Sequence, residues 1–169
     1  MFRPYIKRTH ILVLVAMINL LLVYISYQSY SFTKSKDYEL KIEAATIMKN
    51  ALDLTKELDG PKFVDIFKSG LVGVDSTESQ MTTKRGSLES KVATTNPNFA
   101  AVFIDWFSTI GISSDFSNTP DTVAVSMTGS FPGANIAFLA ACKASNVYPV
   151  IISSIGSSSW GANQVDKTW

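Results

Sequence analysis

The chain has 169 residues, 46% hydrophobic and 17% charged, which accommodates one membrane segment plus one modest domain. Its formal net charge of +1 hides an asymmetry: Arg3, Lys7 and Arg8 precede the first apolar run, whereas from Ser31 onward 12 basic residues stand against 14 acidic ones, about −2. That balance excludes a nucleic-acid binder, which needs a basic stripe or patch, and a lone cysteine (Cys142) and a lone histidine (His10, at the membrane edge) exclude an intramolecular disulfide, a Ser-His-Asp triad, a Cys-His pair and a histidine-rich zinc site.

Residues 1–10 read as a basic cytoplasmic tail. Ile11–Ile25 is apolar except for Asn19, and Ser26–Tyr30 extends it to the roughly 20 residues that a bilayer core requires. Lys7 and Arg8 before the run, with Tyr24, Tyr27 and Tyr30 at its far end, predict a transmembrane helix over residues 11–30. The amino terminus is then cytoplasmic and the rest extracytoplasmic. A cleaved signal peptide shares the basic start and apolar core. The run is long for one, however, and Ser29-Tyr30-Ser31 is a poor cleavage site, so an uncleaved anchor is expected. Asn19 is either a tolerated polar residue or a hydrogen-bonding handle for another membrane helix.

Residues 31–60 are expected as a helical stalk. Leu40, Ala44, Ile47, Ala51, Leu54 and Leu58 recur at spacings of 4-3-4-3-4, a heptad seam bounded by Gly60-Pro61. The seam supports a homo-oligomer or a partner docked near the membrane. Ile42, Met48 and Leu52 widen the stripe, as in an amphipathic helix laid on its own domain, and both readings stand at this point.

Residues 61–169 are expected to form the extracytoplasmic α/β domain. Phe63–Lys68 reads as a short helix stopping at Gly70, and Leu71–Val74 as a short strand. Ser76–Thr95 is polar and reads as a long surface loop with one turn at Ser87–Lys91; loops of such length are functional or disordered. Asn96-Pro97 is a helix start. Phe99, Val102, Phe103, Trp106, Phe107 and Ile110 follow as a core-facing stripe closed by Gly111, and Ser113–Pro120 is a flexible connection.

Thr122–Asn163 carries the densest signal. Val123–Val125 suits a strand buried on both faces. Thr128-Gly129-Ser130-Phe131-Pro132-Gly133 breaks the extended pattern, with Pro132 placed for a first helical turn. Ile136, Leu139 and Ala140 supply a helical face, Cys142 reads as a small buried helix residue, and Asn146 is a left-handed stop. Pro149 opens a second strand, Val150–Ser153. This is a βαβ unit, and the turn after each strand falls at the carboxyl edge of one parallel sheet, where such folds bind ligands.

Three sets of residues could carry chemistry. Thr128, Gly129 and Ser130 lead into a helix amino terminus through Gly133 and Asn135, an arrangement that offers N–H groups and the helix dipole to an anion such as a carboxylate; Ser130 as a simple cap is the rival account. Gly156, Ser157, Ser158, Ser159 and Trp160 follow the second strand, and their hydroxyls would line a groove beside the first turn or form a solvated loop. Lys84, Arg85 and Lys91 are the local basic cluster of the long loop. Ser87 and Lys91 would share one helix face, which makes a Ser-Lys nucleophile pair conceivable; salt-sensitive contact with an acidic polymer is the alternative use of these charges. Neither G-x-G-x-x-G nor G-x-x-x-x-G-K-[ST] occurs, and Ser130 does not sit in G-x-S-x-G. No cofactor and no metal are expected.

Leu71–Asp75 (LVGVD), Met81–Lys91 (MTTKRGSLESK), Thr94–Val102 (TTNPNFAAV) and Thr122–Asn163 together resemble the poly-gamma-glutamate system protein family. TNPNFAA, TGSFPGAN and ISSIGSSSWGAN are the most specific stretches. The resemblance runs from Gly70 to Gly161, and the membrane segment is similar only in kind. It implies a membrane-anchored accessory component of bacterial poly-γ-glutamate synthesis and export. Its partners would be the bilayer, synthase or export subunits and the γ-glutamyl polymer. The family continues beyond Trp169, so the resemblance also implies a small Rossmann-like domain truncated at its carboxyl end. An envelope enzyme acting on γ-glutamyl amides, with Ser130 or Ser157 as nucleophile and a lysine as base, is the alternative. A purely structural membrane partner acting through Asn19 and the heptad seam is a third.

Overall fold

A computed structural model of the chain describes residues 8–31, 33–59, 68–75, 79–112 and 119–169. Outside these lie Arg3 and Lys7 of the basic tail, the Gly60-Pro61 stop, the Phe63–Lys68 helix apart from Lys68, and most of the Ser113–Pro120 connection; the Leu58 side chain is likewise not described. The chain divides into two compact units, Met1–Lys36 and Asp37–Trp169.

The first unit holds one helix, α1 (Thr9–Ser29), long and apolar enough to cross a membrane, with a mean hydropathy of 2.2 over its most apolar window. Its 21 residues extend about 31 Å, close to the hydrocarbon thickness of a bilayer. Near its end the Gln28 side-chain amide donates to the Tyr24 hydroxyl at 2.9 Å.

The second unit is a mixed α/β fold. Its described elements are α2 (Tyr38–Asp59), β1 (Thr82–Lys84), α3 (Leu88–Thr94), α4 (Phe99–Ile110), β2 (Thr122–Thr128), α5 (Pro132–Ala144), β3 (Tyr148–Ser154), β4 (Ser157–Ser158), β5 (Asn163–Gln164) and β6 (Lys167–Thr168). Of the two readings of α2, packing on its own domain describes the helix. Ala44, Met48 and Leu52 are buried in one cluster with Ala100, Ile104 and Phe107 of α4 and Ala137, Ala140 and Ala141 of α5. The buried positions recur every four residues, so the contact row drifts off the heptad seam and leaves Leu54 66% exposed. Lys41 reaches across to Asp105 of α4 at 2.6 Å.

α4 starts two residues later than the Asn96-Pro97 reading, with Asn98 in the cap position and no side-chain cap bond. The Asn96 side chain accepts the Asn98 N–H at 3.0 Å, and a tight turn through Pro97 leads into the helix. Gly111 ends it in the left-handed region at φ +80°. The expected aromatic stripe is only partly internal. Phe107 is buried, and Phe99, Phe103 and Phe138 pack edge to face with centroids 5.5 Å apart. Trp106 and Ile110, however, are 55% and 70% exposed. Seven large apolar side chains in twelve positions span a wider arc than the single contact with α2 and α5 covers.

The βαβ unit forms as expected, with β2 and β3 parallel in continuous register from Thr122 opposite Tyr148 to Thr128 opposite Ser154. The expected burial of Val123–Val125 on both faces is corrected: Val123, Val125 and Met127 turn toward the helices, whereas Ala124 and the paired Tyr148, Val150 and Ile152 are exposed on the other face. The end of α5 is a left-handed cap. Asn146 has φ +52°, the Val147 N–H bonds the Cys142 carbonyl at 2.9 Å and the Asn146 N–H bonds the Lys143 carbonyl at 3.5 Å. Asn146→Gly should therefore stabilise the chain by up to about 1 kcal/mol, since glycine adopts this conformation without strain; a lower urea midpoint in the variant would contradict it. Cys142 is buried in the same helix, and burial pushes its thiol up to about 12, as befits an inert packing residue.

Two sequence expectations are corrected. Leu71–Val74 forms no regular strand; it is pinned instead by Gly73 N–H to the Trp160 carbonyl and Trp160 N–H to the Val74 carbonyl. The described part of Ser76–Thr95 is not a loop with one turn but contains β1, paired in parallel with β4, and the helix α3. In three residues β1 offers no periodicity to read, and its partner lies more than seventy residues away.

Candidate functional site

The turns after β2 and β3 converge, as the βαβ reading requires, and α3 brings a lysine to them from the segment expected as a loop. Ser87 caps α3, its Oγ accepting the Ser90 N–H at 3.2 Å and donating to the Glu89 carboxylate at 2.8 Å. The cap faces solvent. Lys91 lies one turn on and points into the domain, where it is 3% exposed. Its Nζ donates to Ser158 Oγ at 2.7 Å and sits 3.5 Å from the centre of the Phe131 ring, a cation–π contact. Lys91 thus pairs with Ser158 rather than with Ser87, which corrects the helix-face expectation: the i,i+4 spacing held, but the amino-terminal member is a capping residue.

Burial, and then the neighbouring Lys84 ammonium, hold Lys91 down to about 8. Among the described residues no carboxylate is one of the groups acting on its charge. A buried ammonium without an acid partner is costly, and ordinary packing gives no return for it.

Around this pair lies a cleft of about 420 Å³ lined by Thr83, Lys84, Thr128, Ser130, Phe131, Ser154, Gly156 and Ser158. The first turn is joined to the second by Ser158 N–H, which donates to Ser130 Oγ at 3.0 Å. Ser130 is therefore not the cap of α5; Phe131 occupies that position without a side-chain bond. Thr128 Oγ1 accepts the Ser130 N–H at 3.2 Å and holds the turn closed.

Of the residues singled out from the sequence, Lys84, Thr128, Ser130, Gly156 and Ser158 line this cleft, and Lys91 lies buried behind it against Ser158 and Phe131. The others frame it. Ser157 is fully buried and its Oγ lies 2.9 Å from the Gly129 carbonyl, to which it donates, so it is unavailable as the nucleophile of the enzyme alternative. Ser159 is buried, and its backbone N–H donates to the Lys84 carbonyl at 3.0 Å. Trp160 adopts φ +66° and pairs with Gly73 and Val74 behind the turn. Asn135 ties α5 to β2 by donating to the Thr128 carbonyl at 2.9 Å, and Gly133 lets α5 approach the last turn of α3. The sequence reading omitted Phe131, Thr83 and Ser154. Phe131 had a signal, as an aromatic residue set in a turn of small ones.

A larger hollow of about 480 Å³, bordered by Thr55, Val72, Ile136 and Trp169 among others, is mainly apolar and contains none of the singled-out residues except where Pro132 adjoins Gly133. Among the described residues no three His, Cys, Asp or Glu side chains come together as a metal would require. Searches against protein-family models, curated proteins and solved structures found no match to the chain.

Proposed function

We propose that this chain is a membrane-anchored accessory component of a poly-γ-glutamate synthesis and export system. It would cross the cell membrane once through α1 with its amino terminus in the cytoplasm, and present residues 37–169 outside. The outer unit is read as a small Rossmann-like domain. The parallel register of β2 and β3 supports that reading, as does their apolar outer face, the kind of face that helices cover in doubly wound folds. Its partners would be synthase or export subunits, with self-association through the remaining seam residues as a further contact.

One observation carries the polymer-binding role: Lys84 lines a hydroxyl-rich cleft at the carboxyl ends of two parallel strands, with the buried Lys91 ammonium behind its Ser158 and Phe131 wall. A γ-glutamyl chain carries one free carboxylate per residue, which would pair with Lys84 while its amides meet Thr128, Ser130 and Ser158. Since the outer region is about −2 overall, such a grip is local, and it weakens with salt.

The test is binding of γ-glutamyl oligomers to the full chain in detergent. Affinity should fall several-fold between 50 and 300 mM salt, an estimate from screening of exposed charges, and fall further in Lys84→Ala. No binding at low salt, or binding indifferent to both changes, would remove the polymer from this account. In cells, polymer lost on gene deletion should return when this frame is restored.

A further inference from the structure

We propose that Ser158 and Lys91 form a nucleophile and general-base pair that cleaves an amide whose acyl half carries a free carboxylate. The identity of that amide as γ-glutamyl rests on the function proposed above; the pair itself does not.

The geometry meets the requirements of such a pair. A nucleophile and its base must lie within hydrogen-bond reach, and Lys91 Nζ is 2.7 Å from Ser158 Oγ. The base must have a lone pair at working pH. The groups facing Lys91 are the Phe131 ring, the Ser158 hydroxyl and, at longer range, the Lys84 ammonium. Among the described residues none of these carries negative charge; the ring and the hydrogen bond to Ser158 Oγ favour the ammonium, and burial together with Lys84 opposes it. The nucleophile must be open to substrate, and Ser158, though buried overall, contributes to the wall of the cleft. Lys84 lines the same cleft and is placed to take the substrate carboxylate.

The step balances within these groups and water. Neutral Lys91 removes the hydroxyl proton as Ser158 Oγ attacks the amide carbon, and the carbonyl oxygen becomes an oxyanion. Ser130 Oγ accepts from the Ser158 backbone N–H, and no described residue accepts its hydrogen, which is left to turn toward that oxyanion. The positive end of the α5 dipole lies on the same side. Collapse breaks the C–N bond, and the Lys91 ammonium returns its proton to the departing amine. Water, deprotonated by the regenerated neutral lysine, then attacks the Ser158 ester; the acyl C–O bond breaks, the carboxylic acid leaves, and the Lys91 ammonium returns the proton to Ser158 Oγ.

The test uses the full chain in detergent with a fluorophosphonate, a probe that phosphonylates activated serines whatever their natural substrate. A single adduct is expected, located to Ser158 by peptide mass, forming faster as pH rises through about 8. Lys91→Met should slow it about a hundredfold or more, and Ser158→Ala should abolish it. Lys91→Arg, which keeps a positive charge but holds its proton, should be equally unreactive, so the result does not depend on one variant folding. No adduct at Ser158, or a rate indifferent to both Lys91 variants, overturns the pair. A second arm follows the length of γ-glutamyl oligomers. Shortening by the parent and not by Ser158→Ala supports the whole proposal, whereas an adduct without shortening upholds the pair and rejects the γ-glutamyl substrate.

Discussion

Lys91→Met is expected to make the folded chain more stable near pH 7, and the advantage should vanish as the solution becomes alkaline. In the parent, folding transfers a lysine from water, where its proton leaves near 10.5, to a site that holds it down to about 8. Below pH 8 both folded and unfolded chains carry the proton, and the folded state bears the whole cost of a desolvated ammonium. Between about 8 and 10.5 the unfolded chain keeps the proton and the folded chain does not. Stability therefore rises with pH in that window, by about 3 kcal/mol in all at 1.36 kcal/mol per unit.

Methionine fills similar volume without the charge and removes this dependence. The difference between variant and parent should shrink by about that amount from pH 7 to above pH 10. Cys142 works in the opposite sense. Its thiol is held up to about 12, so the folded chain keeps a proton that the unfolded chain releases near 9, and stability falls as pH rises past that point. A simple profile of the parent would mix the two, whereas the difference between the two chains cancels the cysteine. Urea unfolding of both proteins at pH 7, 8.5 and 10 is the measurement. A variant less stable than the parent at pH 7 would mean that the contacts of Lys91 with Phe131 and Ser158 outweigh its desolvation, and the lysine would then be structural.

The contrast between a stabilised protein and a silent site is what separates a functional lysine from a packing one. Proteins tolerate an unpaired buried charge where chemistry or binding needs it, and mutations that relieve it gain stability at the expense of activity.

Much of this arrangement was legible in the sequence and the decisive contact was not. The βαβ unit could be read because each of its parts is local: the apolar run at Val123–Val125, Pro132 at the start of α5, Asn146 in its left-handed cap. The convergence of Thr128–Ser130 with Gly156–Ser158 follows from that topology, since both turns must leave the same edge of one sheet. What brings Lys91 to Ser158, 67 positions away in the chain, is the β1–β4 pairing together with the packing of α3 on α5, long-range contacts for which the sequence has no period or motif. Local reasoning placed Lys91 beside Ser87 because i,i+4 neighbours are the contacts a helix makes visible. Trp106 and Ile110 illustrate the converse: hydrophobicity is a reason to be buried, and only the number of packing partners decides which apolar residues are. The seam of α2 shows a third limit, because a spacing of 4-3-4-3-4 and a row of buried positions every four residues share Ala44 and then diverge.

Gly133 offers the other large effect, and it tests whether α3 and α5 are held in the contact that places Lys91. A methyl group built on Gly133 would stand 2.7 Å from the Thr94 carbonyl oxygen and 2.8 Å from its carbon, with Thr94 Oγ1 at 2.9 Å. Two of the three are backbone atoms and cannot swing away. In an unobstructed helix, replacing glycine by alanine gains up to about 1 kcal/mol. Here the overpacking, typically 1–3 kcal/mol, is at the upper end because backbone must move, so Gly133→Ala should cost about 2 kcal/mol net. Gly111 is the control. It has φ +80° and nothing within 4 Å of an added Cβ, so Gly111→Ala should cost about 1 kcal/mol of left-handed strain alone. Asparagine, which tolerates that conformation, should recover most of the loss at 111 and deepen it at 133. The separation of α3 from α5 also moves Lys91 away from Phe131 and Ser158, so Gly133→Ala should weaken oligomer binding and Ser158 labelling under conditions where the protein remains folded, whereas Gly111→Ala leaves both unchanged. Equal stability of Gly133→Ala and the parent would show that α3 is not seated against α5, and the lysine would lose the element that positions it.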